Sequence, residues 1–307
     1  MKAEILKMLR ESKEYVSGQQ LCERLQVSRT AVWKVIKQLE NEGYQIEAVR
    51  NRGYRIVECP DVLSQEEIES LMQTECIGRH VIYYEETDST NTRIKHLAEQ
   101  GKEHGTLAVA DRQNSGKGRR GRAWESPLGE NIYMSLLLRP TMEPSKAPML
   151  TLVMAYSAAM AIREQEGLEV GIKWPNDLVI GTKKICGILT EMSAEVDYIN
   201  YVVIGVGINV NMQSFPEELC EKATSLRVEK ESPIKRSALI PYSSEVLGCF
   251  AVMRNVASNF SFSNTPRVIF VFPTSITSSI ILPPLKRRLY STTAKTPAVL
   301  FLFSEVL

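Results

Sequence analysis

The stretch Ser17-Gly18-Gln19-Gln20 constrains the fold more tightly than any other part of the chain. A serine three residues ahead of a glutamine forms a capping box, in which the serine oxygen takes the third amide and the glutamine reaches back. A helix should therefore start at Gly18, with Leu21, Cys22 and Leu25 as its apolar stripe. Ahead of it, Ile5, Leu6 and Leu9 recur at helical spacing. Behind it, Gln26-Val27 gives a turn and Ser28 can cap a third helix, whose Val32, Val35, Ile36 and Leu39 share one face and which ends near Gly43. Ile46 to Ile56, with Asn51-Arg52-Gly53 at its middle, reads as a hairpin. Three helices and a hairpin make a winged helix-turn-helix over residues 1–58. Cys59-Pro60-Asp61 then breaks the pattern, so 59–64 reads as a linker.

From Ser64 the pattern changes. A helix starts at Ser64-Gln65-Glu66-Glu67, and strands and helices mix from Val81 on. Thr106 to Ala110 is strand-like, and Ile132, Met134, Leu136 and Leu138 alternate on one strand face. Pro148 to Glu164 is a long apolar helix. Val170–Lys173 and Leu178–Ile180 are short strands, Gly181-Thr182 turns into a hairpin partner at Lys184–Glu191, and Val202–Val206 is a buried strand. Residues 65–240 thus predict one α/β domain on a mixed sheet, giving an α+β chain overall.

Bulk properties exclude little. The 307 residues carry a formal net charge of +1, so any basic site must be local. The six cysteines are scattered, with no Cys-x-x-Cys, which implies free thiols and a cytoplasmic protein. His80, His96 and His104 do not pair with them at metal-site spacing, so no structural metal is expected. The N-terminus is not a signal peptide, no apolar run reaches spanning length, and no membrane partner is expected.

Five short segments carry chemistry. Gly116-Lys117-Gly118-Arg119-Arg120-Gly121-Arg122, followed by Ala123-Trp124, sets four cations among three glycines. Glycine lets backbone approach a ligand, and the cations suit phosphate or carboxylate. The segment formally matches G-x-G-x-x-G, but Trp124-Glu125-Ser126-Pro127 follows where a dinucleotide fold would open a helix. A solvated basic loop is the plain alternative. Lys173-Trp174-Pro175-Asn176-Asp177 is either a polar site at a strand end or a surface turn with Trp174 in the core. Lys184 enters an apolar strand, as a hairpin-end solubiliser or as a cation aimed into a site. Asp88-Ser89-Thr90-Asn91 is a set of polar donors or an N-cap, and Gly205-Val206-Gly207-Ile208-Asn209 is a glycine-lined strand or a bulge.

In this order and spacing the five segments resemble the biotin–protein ligase family, and with the winged helix its bifunctional ligase-repressor members, over residues 1 to about 240. The resemblance implies a catalytic domain of the biotin/lipoate ligase type, class II synthetase-like, followed by an SH3-like barrel. It implies ATP-dependent formation of biotinyl-5′-AMP, transfer to a lysine of a biotin carboxyl carrier protein, and biotin-responsive repression by a homodimer on operator DNA. Biotin, ATP and Mg2+ are the implied ligands. By position, Ser89, Thr90, Asn91, Gln113, Lys117, Gly118, Arg119 and Lys184 match biotin-contacting residues, with Arg119 and Lys184 in catalytic roles. Arg122, Trp124, Asp177 and Asn209 match positions near the nucleotide and its magnesium. On the winged helix, Ser28, Arg29, Thr30, Lys34, Lys37, Arg50 and Arg52 are the expected DNA contacts, because residues 28–38 and 48–57 contain no acid. Two other readings share much of this pattern: a biotin-sensing repressor that no longer ligates, and a lipoate–protein ligase.

Residues 241–307 depart from the resemblance. They hold seven of the eight phenylalanines, no acid between Glu245 and Glu305, and no glycine after Gly248. The usual barrel is not recognisable there. The composition points to a shifted reading frame and to a tail that is not a native domain. Val268–Phe272 and Val299–Phe303 are apolar throughout and strand-prone.

Overall fold

The computed structural model describes residues 1–241 except 13, 75, 76 and 79, together with the backbone of 269–273 and 298–302. The chain divides into two compact units, Met1–Arg254 and Asn255–Leu307.

The N-terminal elements form as the sequence predicts. Helices α1 (Lys2–Glu11), α2 (Gly18–Leu25) and α3 (Arg29–Asn41) precede an antiparallel hairpin of β1 (Gln45–Val49) and β2 (Gly53–Glu58). Both halves of the capping box are made at Ser17 and Gln20, and Ser28 accepts from the Ala31 amide. Ile5, Leu6, Leu9, Leu21, Val32, Val35, Ile36 and Leu39 close a core of their own.

The second core lies on a seven-stranded sheet. Its strands are β3 (His80–Thr87), β4 (Thr106–Gln113), β5 (Ile132–Leu138), β6 (Gly171–Lys173), β7 (Asp177–Ile180), β8 (Lys183–Ala194) and β9 (Ile199–Ile208), in the order β3-β4-β5-β9-β8-β7-β6. Only β3 and β4 run parallel, so the sheet is mixed as expected. Alternation sends successive side chains to opposite faces. Ile132, Met134, Leu136 and Leu138 join Val202, Ile204, Val206 and Ile208 on one face, against α6 (Met149–Glu166). The opposite face carries Ala108, Leu137 and Val203 against α5 (Thr90–Glu99). On that second face Ser135, Gly187, Gly205 and Gly207 are small, which leaves room beside the N-terminus of α5.

One expectation needs correcting. Pro144–Glu166 is long and apolar enough to cross a membrane by length and composition alone. In this fold Met154, Ala155, Ala158, Ala159 and Ile162 of that helix are buried in the sheet core, which accounts for its apolar composition.

The segment 59–64 is packed rather than free. Leu63 is buried in the sheet core, and Asp61 accepts from the Arg236 amide and Nε, both at 2.9 Å. Arg236 is 2% exposed and also donates to Asp111 of β4 at 2.5 Å. Just beyond, helix α4 (Gln65–Leu71) contributes Glu67, whose carboxylate receives Arg10 of α1, the Tyr44 hydroxyl and, at 3.0 Å, the Ser237 hydroxyl. Burial and that carboxylate push the Tyr44 hydroxyl far above its ordinary pKa, so it stays a donor. Helix α7 (Leu226–Lys230) follows, and the described part of the first unit ends in a helical segment over residues 236–241. In the second unit, β10 (Ile269–Pro273) pairs antiparallel with β11 (Ala298–Leu302), so the two strand-prone runs meet each other. The expectation that 241–307 completes no barrel otherwise lies outside the described residues.

Candidate functional site

A cleft of about 450 Å³, open solvent at its mouth included, lies on the α5 face of the sheet. The sheet supplies a floor that only glycine permits. A Cβ on Gly205 would stand 2.0 Å from Asn91 Oδ1, and one on Gly207 would stand 2.5 Å from Trp124 Nε1. The glycine-lined strand keeps regular register with β5 and β8 through both residues, so it is not a bulge.

The structure brings most of the sequence-assigned residues together. Ser89, Thr90, Asn91, Gln113, Lys117, Gly118, Arg119, Trp124 and Lys184 all line this cleft. Ser89 holds the N-cap position of α5 but makes no side-chain cap bond, so its hydroxyl is not consumed by the helix. Next to it, burial disfavours the charged Asp88, yet the Ser89 amide, the Thr87 hydroxyl and Arg93 outweigh this and lower its pKa. Gln113 Oε1 accepts from the Thr90 amide at 2.8 Å, and its amide nitrogen donates to Ser126 Oγ at 3.1 Å.

The basic segment folds back on itself. Trp124 N donates to Gly116 O at 2.9 Å, Gly118 N donates to Arg122 O at 2.7 Å, and Arg119–Gly121 forms a one-turn tip. Lys117 Nζ donates to Thr92 Oγ1 at 3.0 Å and Arg119 Nη1 to Asn176 Oδ1 at 2.8 Å. The loop thus reaches over the cleft from both sides.

Lys184 stands at the rim with its ammonium 2.8 Å from Asp177 Oδ1 and 5.2 Å from the Trp124 ring centroid. That carboxylate oxygen is buried and the angle is not a hydrogen bond, so the contact is Coulombic. The Trp124 indole N–H is likewise buried without a partner. Lys184 is therefore aimed inward and is not a solubiliser. Gly187 faces Gly207, and Leu189 faces Gly205. The Trp124–Lys184 end and the Asn91 end of the cleft are thus two residues apart along the strands, roughly 7 Å.

Three assigned residues stand outside the lining. Arg122 is exposed, and its carbonyl closes the basic loop. Asp177 reaches the cleft through Lys184. Asn209 is buried and donates to Thr224 O at 3.1 Å, holding the segment that leads into α7. Trp174, a core aromatic in the surface-turn alternative, is 77% exposed. Sequence reasoning misses Asn176, which lines the cleft, and Glu191, which holds the Asn91 amide from outside the lining. Asn176 is visible inside its motif, whereas Glu191 is one acid in an apolar strand and gives no signal.

The winged helix presents a second surface. Thr30, Lys34 and Arg50 are exposed, and Ser28 serves as the α3 cap. Arg29 donates to Gln19 Oε1 at 3.0 Å. Two cations are less free than the acid-free windows suggest: Arg55 pairs with Glu47 at 2.7 Å, and Lys37 pairs with Glu40. Arg52 and Arg55 lie 4.5 and 4.9 Å from the centroid of one ring, Tyr15. Trp33, off the apolar stripe of α3, is 52% exposed beside the basic residues.

Residues 83–209 match the biotin/lipoate A/B protein ligase family, and residues 2–55 match an HTH domain. The chain is 46% identical over 239 residues to the bifunctional ligase/repressor BirA of Bacillus subtilis, covering 77% of this chain and 73% of that one. The BirA of Escherichia coli is 34% identical over 206 residues, covering 67% of this chain and 63% of that one. Among solved structures, biotin protein ligase from Aquifex aeolicus in complex with biotin and ATP aligns at 33% identity, over 57% of this chain and 73% of that one, with a TM-score of 0.48.

Proposed function

We infer the chemistry of the cleft from one premise: this chain belongs to the biotin–protein ligase family, in the bifunctional branch that joins a ligase to a repressor. It is a ligase that activates biotin with ATP and passes it to a protein, and it carries a DNA-binding repressor domain. The observation that carries the site assignment is the pairing, in one cleft, of an uncharged polar end at Thr90, Asn91 and Gln113 with an inward-aimed cation at Lys184. A ureido ring and a carboxylate at the two ends of one molecule fit that pairing; the disulfide ring of lipoate offers the polar end nothing.

In the first half-reaction the biotin carboxylate attacks the α-phosphorus of ATP, forming biotinyl-5′-AMP and releasing pyrophosphate. Two anions must meet, so cations have to offset their repulsion. Lys184 takes the carboxyl end. Its ammonium exchanges the Asp177 contact for substrate. Arg119, on the loop, faces the phosphates, while Lys117 is held at the polar end of the cleft by Thr92. The Trp124 ring over Gly187 and Gly207 covers the chain of biotin and keeps water from the mixed anhydride. In the second half-reaction the amine of an acceptor lysine attacks the activated carbonyl; the C–N bond of an amide forms as the acyl C–O bond breaks, AMP leaves with that oxygen, and the amine gives up a proton to solvent.

Magnesium fits as a companion of the nucleotide rather than as a caged ion. Among the described residues no group of three His, Cys, Asp or Glu is placed to hold a metal. Asp177, with an oxygen buried and not hydrogen-bonded, is the carboxylate that would hold it together with phosphate oxygens. When bound it supplies charge neutralisation on the triphosphate.

We assign residues 1–58 to operator DNA and 65–240 to the ligase, with a biotin carboxyl carrier protein as acceptor. Repression would then work through a homodimer that sets two winged helices on a palindromic operator. The free thiols of Cys22, Cys59, Cys186 and Cys220 suit a cytoplasmic protein. The test is biotin-dependent exchange of pyrophosphate into ATP by the full chain, with lipoate in parallel. Exchange with biotin alone supports the assignment; exchange with lipoate alone refutes it.

A further inference from the structure

The core of the winged helix and the core of the sheet are joined by neighbouring residues. Cys59 and Val62 pack against the first, while Leu63, the next residue, is buried in the second. A free tether over 59–64 would let its ends range over roughly 13 Å. Here the segment has no slack, because Asp61 is tied to Arg236 and, through it, to Asp111 of β4. Apolar packing brings two surfaces together but is non-directional, so it does not fix their angle. Polar contacts do. Glu67 of α4 is 1% exposed and divides its two oxygens between the two domains. Oε2 receives Arg10, in the last turn of α1, and the Tyr44 hydroxyl. Oε1 receives the Ser237 hydroxyl from the ligase side. Turning the winged helix would draw Arg10 and Tyr44 away and leave the carboxylate buried without its cation, so rotation is resisted. Lys2 repeats the arrangement at the margin: its ammonium is 2.6 Å from Glu42, the C-cap of α3, and 3.7 Å from Glu66 of α4.

We propose that Glu67 is a positioning residue for DNA reading, which holds α3 at one angle to the ligase sheet so that a pair of chains accepts operator half-sites at one spacing. The proposal rests on the reading of a homodimer on a palindromic operator. Glu67 is buried and touches neither DNA nor biotin. Its hold on α3 runs through Tyr44, whose amide donates to Leu39 O in the last turn of that helix at 3.1 Å. Each base pair added between half-sites moves one of them by about 3.4 Å and turns it by about 35°. A tethered winged helix would follow that displacement; a mounted one cannot.

The experiment uses the full chain with biotin and ATP. An inverted repeat is recovered from random-sequence duplexes by binding to the wild-type protein, and its half-sites are then moved together or apart by one and two base pairs. Wild type should bind the duplexes shifted by one base pair roughly tenfold more weakly, or worse. Arg10→Met combined with Tyr44→Phe takes both winged-helix donors from Glu67, and the penalty should shrink to about threefold or less. Ser237→Ala, which acts from the ligase side and leaves the winged helix unaltered, should shrink it in the same direction and serves alone if the double variant does not fold. Pyrophosphate exchange should be unchanged in both. A role in stability alone would weaken binding at every spacing alike and leave the profile as sharp as in wild type, and that result overturns the proposal. So does wild-type protein that tolerates the shifts. If wild type recovers no inverted repeat, the operator reading fails and the proposal with it; a sharp wild-type profile that persists in the folded variants sinks the proposal alone.

Discussion

The Lys184 ammonium and the Asp177 carboxylate lie 2.8 Å apart across the turn that joins β7 to β8. The pair holds the cation at the rim of the cleft before any anion arrives. Replacing Lys184 by alanine should slow biotin-dependent pyrophosphate release far more than it weakens biotin binding. A charge-assisted contact is worth about 1.5–3 kcal/mol, or roughly ten- to a hundredfold in rate. A stopped assay of pyrophosphate measures this, and an unchanged rate would remove Lys184 from the site.

Arg236 is buried between Asp61 and Asp111. Replacing it by methionine leaves two carboxylates partly buried without their cation, at a cost of about 3–5 kcal/mol. Urea unfolding should show the loss, and adding Asp61→Asn to Arg236→Met should recover part of it.

Acid should act first through carboxylates such as Glu191. Burial penalises its charged form, but hydrogen bonds from Lys95 and Asn91 outweigh this and lower its pKa below the ordinary glutamate value. A depressed carboxylate stabilises the fold fully above its unfolded pKa, and that stability is lost as pH falls through the folded value. Unfolding free energy should therefore hold level from this group above about pH 5 and decline below the ordinary glutamate range. In Glu191→Gln that part of the decline should be absent.

Tyr15 stacks under both Arg52 and Arg55 of the hairpin. Arg52→Ala should weaken operator binding and reduce the salt slope by about 0.9, the share of one neutralised phosphate. Tyr15→Ala should also weaken binding with Arg52 intact, because the guanidinium is no longer pre-oriented. Pyrophosphate exchange should be unchanged in both. Shift assays across a salt series check it, and equal operator affinity in wild type and variants would move DNA recognition off the wing.

Local signals make much of this molecule legible in advance. The capping box at Ser17, the apolar stripe of α3 and the Asn51-Arg52-Gly53 turn act within a few residues, so sequence spacing alone places them. The glycines at 205 and 207 are visible as a motif, but their reason is not: it lies in Asn91 and Trp124, which reach them across the sheet. Glu191, Asp61 and Arg236 give no signal, because each acts on partners about 100 or more residues away in the chain. Trp174 is legible as an aromatic but not as an exposed one, since turn chemistry does not say which way a strand end faces.

The most direct measurement is the structure of the full chain crystallised with biotin. The ureido ring should lie against Thr90 and Gln113, with an N–H within hydrogen-bond reach of Thr90 Oγ1. The carboxylate should lie beside Lys184, with the Trp124 ring against the chain between them. Biotin bound elsewhere, or reversed with its carboxylate at Thr90, would contradict the site assignment.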